Sequence, residues 1–272
     1  VKSVTERGES DSVLSDVFTV ISTSPQITLI GDATITVSIQ DTYEELGFTA
    51  EDAFGTDLTA QVEVSGEVLA GQLGTYTLTY KVEDAAGHVT KVSRIVEVIN
   101  DVPPKIILNG DHPYILIKGE DYVDPGSSAT DYFGEEVGVS HNASEVVQVD
   151  EIGAYEVTYI AKDGYGNEAT AKRIVHVIPP APSIIGGYEE ITVIDAEPHA
   201  TIELYNIDHQ KVQSTEADEQ GTALLTGVEP ELEYYVTQTV NHMVSDPSEQ
   251  VKVNSKIAPL RPSSVSDVIL KE

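Results

Sequence analysis

The stretch Leu73-Gly74-Thr75-Tyr76-Thr77-Leu78-Thr79-Tyr80-Lys81-Val82-Glu83-Asp84-Ala85-Ala86-Gly87 decides the fold. Tyr76, Leu78, Tyr80 and Val82 fall on one face and Thr75, Thr77, Thr79 and Lys81 on the other, the period-2 pattern of a half-buried β-strand. Asp84-Ala85-Ala86-Gly87 is a turn signal, and Val92-Ser93-Arg94-Ile95-Val96-Glu97-Val98 is the return strand. The hairpin recurs: Ile152-Gly153-Ala154-Tyr155-Glu156-Val157-Thr158-Tyr159-Ile160-Ala161-Lys162-Asp163-Gly164-Tyr165-Gly166 leads into Lys172-Arg173-Ile174-Val175-His176-Val177 at an offset of 79, Tyr155 against Tyr76. One hairpin used twice predicts an array of β modules.

Outward from the hairpins the agreement continues without a gap over 25–100 and 104–179, which we read as two copies of one domain. Pro25 and Pro104 start the first strand, where a missing N–H costs nothing. Gly31/Gly110, Gly47/Gly126, Gly55/Gly134 and Gly74/Gly153 are placed where turns need positive φ. Ile27 and Leu29, Ile106 and Leu108, Val96 and Val98, Val175 and Val177 alternate inward. The copies part at Ile39-Gln40-Asp41, where the second has Lys118-Gly119-Glu120.

A third domain of a different subtype is expected over 181–255. Ala200-Thr201-Ile202-Glu203-Leu204-Tyr205-Asn206, Gln220-Gly221-Thr222-Ala223-Leu224-Leu225 and Tyr234-Tyr235-Val236-Thr237-Gln238-Thr239-Val240 supply its strands. Residues 1–24 read as the last hairpin of a preceding domain, or as an N-terminal strand extension around Val17-Phe18-Thr19-Val20-Ile21, and 256–272 as a linker or the start of a next domain. The fold class is all-β: tandem β-sandwiches in an extended array.

Composition narrows the function. Over 272 residues, 15 Lys+Arg stand against 46 Asp+Glu, a formal net charge of −31. A field of that sign repels nucleic acid and anionic membranes and attracts cations and basic partners. There is no cysteine, hence no disulfide, thiolate metal site or cysteine nucleophile. No apolar run approaches the roughly 18 residues a membrane span needs, so direct membrane insertion is not expected. The chain opens at Val1-Lys2-Ser3-Val4 without a methionine or an apolar stretch, which reads as a processed chain or an excised fragment.

Gly74-Thr75-Tyr76 and Gly153-Ala154-Tyr155 look like the tyrosine corner of Ig-like sandwiches, in which a late-strand Tyr bonds back to upstream backbone. Two residues on, where antibody domains place a disulfide cysteine, stand Leu78 and Val157, so aliphatic packing replaces the bridge. The pattern Pro-x-Ile-x-Leu-x-Gly, Tyr-x-x-x-Gly-x-x-Ala-x-Asp-x-x-Gly, Gly-x-Tyr-x-x-x-Tyr-x-x-x-Asp-x-x-Gly and Arg-x-Val-x-Val resembles the bacterial Ig-like domain of surface proteins and some crystal toxins, and is similar to hyalin-type repeats. From Tyr234-Tyr235-Val236-Thr237-Gln238-Thr239 and Val244-Ser245-Asp246-Pro247-Ser248, the third domain resembles Ig-like domains of S-layer and other Gram-positive surface proteins. These resemblances cover about 25–255. They imply an extracellular, cell-surface protein of the S-layer or cell wall and little about activity, since such folds host many functions.

Loop acids suggest calcium, which takes six to eight oxygen ligands. Asn100 and Asp101 at the joint between repeats, and Glu120, Asp121, Asp124 and Asp131 with Glu135 and Glu136 in the second copy, are the candidate ligands; the alternative is that they are solvated turn formers. Asp84 and Asp163, three residues before a Gly, read as turn caps. None of the seven histidines has a partner at the spacing of a helical zinc site, and neither a Gly-x-Ser-x-Gly elbow nor a Walker loop is present. Asn142-Ala143-Ser144 matches a glycosylation tripeptide and is read as structural.

No catalytic residue or other cofactor is expected. The leading expectation is a non-enzymatic structural segment, self-assembling or acting as a spacer, its partner being further copies of itself. The alternatives are an adhesin stalk whose loops hold a glycan or protein, or a filament subunit that donates residues 13–22 to a neighbour's sheet. The adhesin reading requires Tyr132, Phe133, Tyr165, Tyr188, Tyr234 and Tyr235 to cluster on a surface rather than serve as core.

Overall fold

The computed structural model describes residues 24–255. The expectations for residues 1–23 and 256–272, including the donor strand, lie outside the described residues. The chain divides into two compact units at Val102/Pro103.

In the first unit β1 (Gln26–Leu29), β2 (Thr34–Ser38), β3 (Phe48–Glu51), β4 (Glu63–Ser65), β5 (Gly74–Glu83) and β6 (Val89–Ile99) form two sheets. β1 pairs antiparallel with β3, and the second sheet runs β2-β6-β5-β4 with β2 parallel to β6. The hairpin that dominates the sequence is β5-β6, in register from Gly74↔Val98 to Glu83↔Val89. Its inward residues Leu78, Tyr80, Val82 and Val96 meet Ile27 and Ala50 of the other sheet, so the core lies between the sheets.

The second unit opens with the same plan: β7 (Lys105–Leu108), β8 (Tyr114–Ile117), β9 (Ser127–Thr130), β10 (Val139–His141), helix α1 (Ala143–Val146), β11 (Gly153–Lys162) and β12 (Glu168–Ile178). β7 pairs with β9, and the sheet β10-β11-β12-β8 again has one parallel pair. Val157, Tyr159, Val175 and Val177 are its buried centre. Both copies are all-β sandwiches, as the alternation predicted.

The ungapped agreement breaks in one place. β4 sets Val64 opposite Tyr80, whereas β10 sets His141 opposite Tyr159, two residues earlier along the repeat. The cause lies just downstream. Gly66 has φ +104°, and a Cβ there would come within 2.3 Å of the Thr77 carbonyl oxygen. The second copy has Glu145 at that position, which cannot follow the same path, and the chain turns through α1 instead. Glycine at Gly74 has φ +155°, but Gly153 is not in the positive-φ region, so the fourth expected glycine pair is not a shared turn. Both glycines instead lie against a tyrosine ring, Tyr76 and Tyr155 respectively.

β13 (Ser183–Gly186), β14 (Glu190–Ile194), β15 (Thr201–Asn206), β16 (Lys211–Glu216), β17 (Ala223–Thr226), β18 (Glu233–Val240), β19 (Met243–Val244) and β20 (Val251–Lys252) complete the second unit. They form a sheet β13-β14-β17 and a sheet β16-β15-β18, to which β19 and β20 add along β18. Ile191, Val193, Ile202, Leu204, Leu225 and Val236 fill a core of their own between them.

Candidate functional site

Among the described residues, six loops share one hydrogen-bond plan: 52–56, 84–88, 131–135, 163–167, 206–210 and 218–222. In each the first residue's N–H reaches the fifth's carbonyl, and the fourth's N–H returns to the first's carbonyl. An Asp or Asn side chain caps the loop from within: Asp131 Oδ1 accepts the Phe133 and Glu135 N–H groups, and Asp163 Oδ1 those of Tyr165 and Asn167. The fourth residue is in the left-handed region, which is why it is Gly55, Gly87, Gly134, Gly166 or Gly221, with His209 (φ 60°) the exception. Asp84 and Asp163 are therefore caps, as the turn signals predicted.

The calcium candidates are dispersed. Asn100 is buried and its Oδ1 accepts the Val102 N–H; Asp101 accepts the Ser38 hydroxyl. Glu120 and Asp121 are exposed on the turn after β8, and Asp131 is the cap just described. Asp124 is half-buried inside the sandwich, with Oδ2 accepting the Tyr122 and Tyr159 hydroxyls and Oδ1 the Gly126 N–H. Among the described residues no group of three carboxylates or histidines stands together as a metal site.

Asp124 belongs to a buried network that each copy builds and that the sequence reading missed. Arg173 is fully buried, donating from Nε to the Tyr159 hydroxyl at 3.0 Å, from one terminal nitrogen to the Asp111 carbonyl at 2.9 Å and from the other to the Asn109 carbonyl. In the first copy Arg94, also fully buried, reaches the Glu45 carboxylate and the Ile30 carbonyl, while Tyr43 and Tyr80 donate to the same carboxylate. The longer Glu side chain meets its arginine directly; the shorter Asp meets its arginine through the tyrosine. A signal for this was present: in Arg-x-Val-x-Val the arginine shares the parity of the inward valines.

This network has a pH consequence. Burial first, and acceptance by Glu45 or Asp124 second, push the Tyr43, Tyr80, Tyr122 and Tyr159 hydroxyls above their ordinary range. A folded-state pKa above the unfolded value of about 10 gives stability that is complete below that value and is lost as pH rises toward the folded one. Both repeats are expected to lose stability above about pH 10, with tyrosinate absorbance rising as circular dichroism falls. Complete tyrosine ionisation near pH 10 with the fold intact would contradict this.

The tyrosine corners are made: Tyr76 donates to the Gln72 carbonyl at 3.0 Å and Tyr155 to that of Glu151 at 2.8 Å. Tyr234 makes a similar bond to Glu229 in the third domain. Asn142 of the glycosylation tripeptide accepts the Thr158 N–H through Oδ1, a structural role.

Within the second unit, the repeat and the third domain meet at a built joint. Lys118, at the position where the copies part, places Nζ 2.8 Å from both carboxylate oxygens of Glu197; its counterpart Ile39 is buried in the first unit. Gln238, fully buried, donates from Nε2 to the Pro180 carbonyl and accepts the Glu197 N–H, each at 2.7 Å. Asn241 donates to the Ile152 carbonyl. Pro179 and Pro182 of the connecting segment are buried. Contact between these neighbours thus extends beyond the connecting segment.

The six aromatic residues separate. Tyr234 and Tyr235 are core. Tyr188 is exposed by itself on the third domain's surface. Tyr132, Phe133 and Tyr165 do cluster at the surface, with ring centroids 5.2 Å and 5.9 Å apart.

The family described as "Bacterial surface protein, Ig-like domain" matches residues 27–98 and 106–177, together more than half of the chain. No curated protein matches the sequence. Solved structures that resemble it include titin domains A168–A170 (11% identity, 86% of this chain and 100% of that one, TM-score 0.32). Two fibronectin type III domains of chicken tenascin also resemble it (13% identity, 71% and 97%, TM-score 0.28), as does the BSP domain of a biofilm-associated protein (12% identity, 87% and 57%, TM-score 0.27).

Proposed function

Because the chain belongs to the bacterial surface protein Ig-like domain family, and so to the cell-surface structural modules, we propose that it is a non-catalytic spacer of an S-layer-like protein. The observation that carries this reading is the joint of the second unit. A chain that only needed separate binding domains would leave its linker solvated, and domains so linked move freely by default. Here Pro179 and Pro182 of the connecting segment are buried, Lys118 and Asn241 bond across from one domain to the other, and Gln238 fastens the connecting segment at Pro180. Such a joint transmits position from one sandwich to its neighbour, which is what a spacer does. Each sandwich closes its own core, so load passes through folded modules rather than through extended chain.

Light scattering and negative-stain electron microscopy in calcium and in EDTA test the reading. A spacer remains a monodisperse monomer of unchanged hydrodynamic radius in both. Ordered sheets or fibres that form with calcium and dissolve with EDTA would replace it with a cation-bridged, self-assembling lattice, a use to which the net charge of −31 would also lend itself.

A further inference from the structure

The aromatic cluster of the second repeat is not part of that spacer role. Tyr132, Phe133 and Tyr165 are 41%, 47% and 52% exposed. They stand on two of the capped loops, 131–135 and 163–167. The first repeat supplies an internal comparison. Its corresponding loops close with the same hydrogen bonds, yet carry Ala53, Phe54 and Ala86. The loops therefore form without Tyr132 and Tyr165, and exposing these rings to water is a cost the fold does not require.

We propose that this cluster is a binding site for a cationic segment, a Lys- or Arg-bearing stretch of a partner polypeptide. Two observations select that occupant. The rings are not coplanar: Tyr132 and Phe133 meet at 84° and Phe133 and Tyr165 at 48°. Faces so tilted do not make a flat platform for a sugar ring, whereas an ammonium or guanidinium group needs only to approach a face. The surroundings are acidic: Glu135 and Glu136 are exposed on the same loop. The Asp131 carboxylate adds its charge there, spending Oδ1 on the loop's own N–H groups. Charge draws the basic segment in and the rings hold its cationic heads, a division between steering and contact.

The test uses the full chain and two probes, a short oligolysine peptide and the neutral sugar cellotriose, followed by calorimetry at physiological salt. The variant is Tyr132→Ala with Tyr165→Ala, which copies the first repeat and leaves the charge unchanged; circular dichroism verifies its fold. Oligolysine affinity is expected to fall about five- to tenfold in the variant, from two exposed cation–π contacts. Equal affinity in both proteins would mean diffuse attraction to an acidic surface and would overturn the proposal. Cellotriose binding that the variant abolishes would overturn it in favour of a glycan site.

Discussion

Arg173→Met is expected to destabilise the second repeat by about 3–5 kcal/mol, the usual cost of removing one partner from a buried charged network. The guanidinium is fully buried and supplies the donors for the Tyr159 hydroxyl and for the Asn109 and Asp111 carbonyls. Methionine fills much of the volume but returns none of those bonds. It also takes away the donor that orients the Tyr159 hydroxyl toward the Asp124 carboxylate, which the Tyr159 and Tyr122 hydroxyls hold low against the opposing effect of burial. The loss should be confined to the second unit, since Arg94 serves an independent copy of the network. Urea unfolding monitored by residue-resolved NMR measures both copies in one experiment. A change below about 1 kcal/mol, within the range of an ordinary surface substitution, would show that the network is not what secures the sandwich.

The second large effect is expected at the joint. Gln238→Ala removes the side chain that both donates to Pro180 and accepts from Glu197, and each group left without its partner costs about 1–3 kcal/mol where water does not replace it. The Glu197 N–H belongs to the third domain and the Pro180 carbonyl to the connecting segment, so with the core residues untouched the loss should fall partly on the third domain's stability and partly on the coupling between domains. Nitrogen relaxation in the unsubstituted protein should give one tumbling time for 104–179 and 181–255, and in the variant two shorter ones. Two tumbling times already present in the unsubstituted protein would mean that the joint does not hold.

Much of the fold was legible because period-2 alternation and a repeated hairpin are direct consequences of strand geometry: Tyr76 to Val82 and Tyr155 to Ala161 could be placed by parity alone. Two of the capped loops, at Asp84 and Asp163, were legible for a similar reason, since Asp followed three residues later by Gly encodes both the cap and the left-handed residue. The buried arginines were not, because a charged side chain is read as solvent-facing unless its parity is given more weight than its charge. The surroundings of Asp124 were illegible for the same reason: Tyr122 and Tyr159, the latter 35 positions away, both donate to its Oδ2, and the Gly126 N–H to its Oδ1. The joint was illegible for another reason. Lys118, Glu197 and Gln238 lie far apart in sequence, and only the departure from Ile39 marked the first of them. Among the aromatic residues, sequence could name Tyr132, Phe133 and Tyr165 but not separate them from Tyr234 and Tyr235, whose burial is set by the strands around them.

The central claim, that the two sandwiches of the second unit are held as one stiff piece, is tested most directly by a distance measured across their joint. The chain contains no cysteine, so spin labels on Glu156→Cys and Ser214→Cys, both on exposed strand positions of adjoining domains, report only that distance. Double electron–electron resonance should return a single narrow distribution, and Gln238→Ala should broaden it. A broad distribution in the unsubstituted joint would contradict the spacer account.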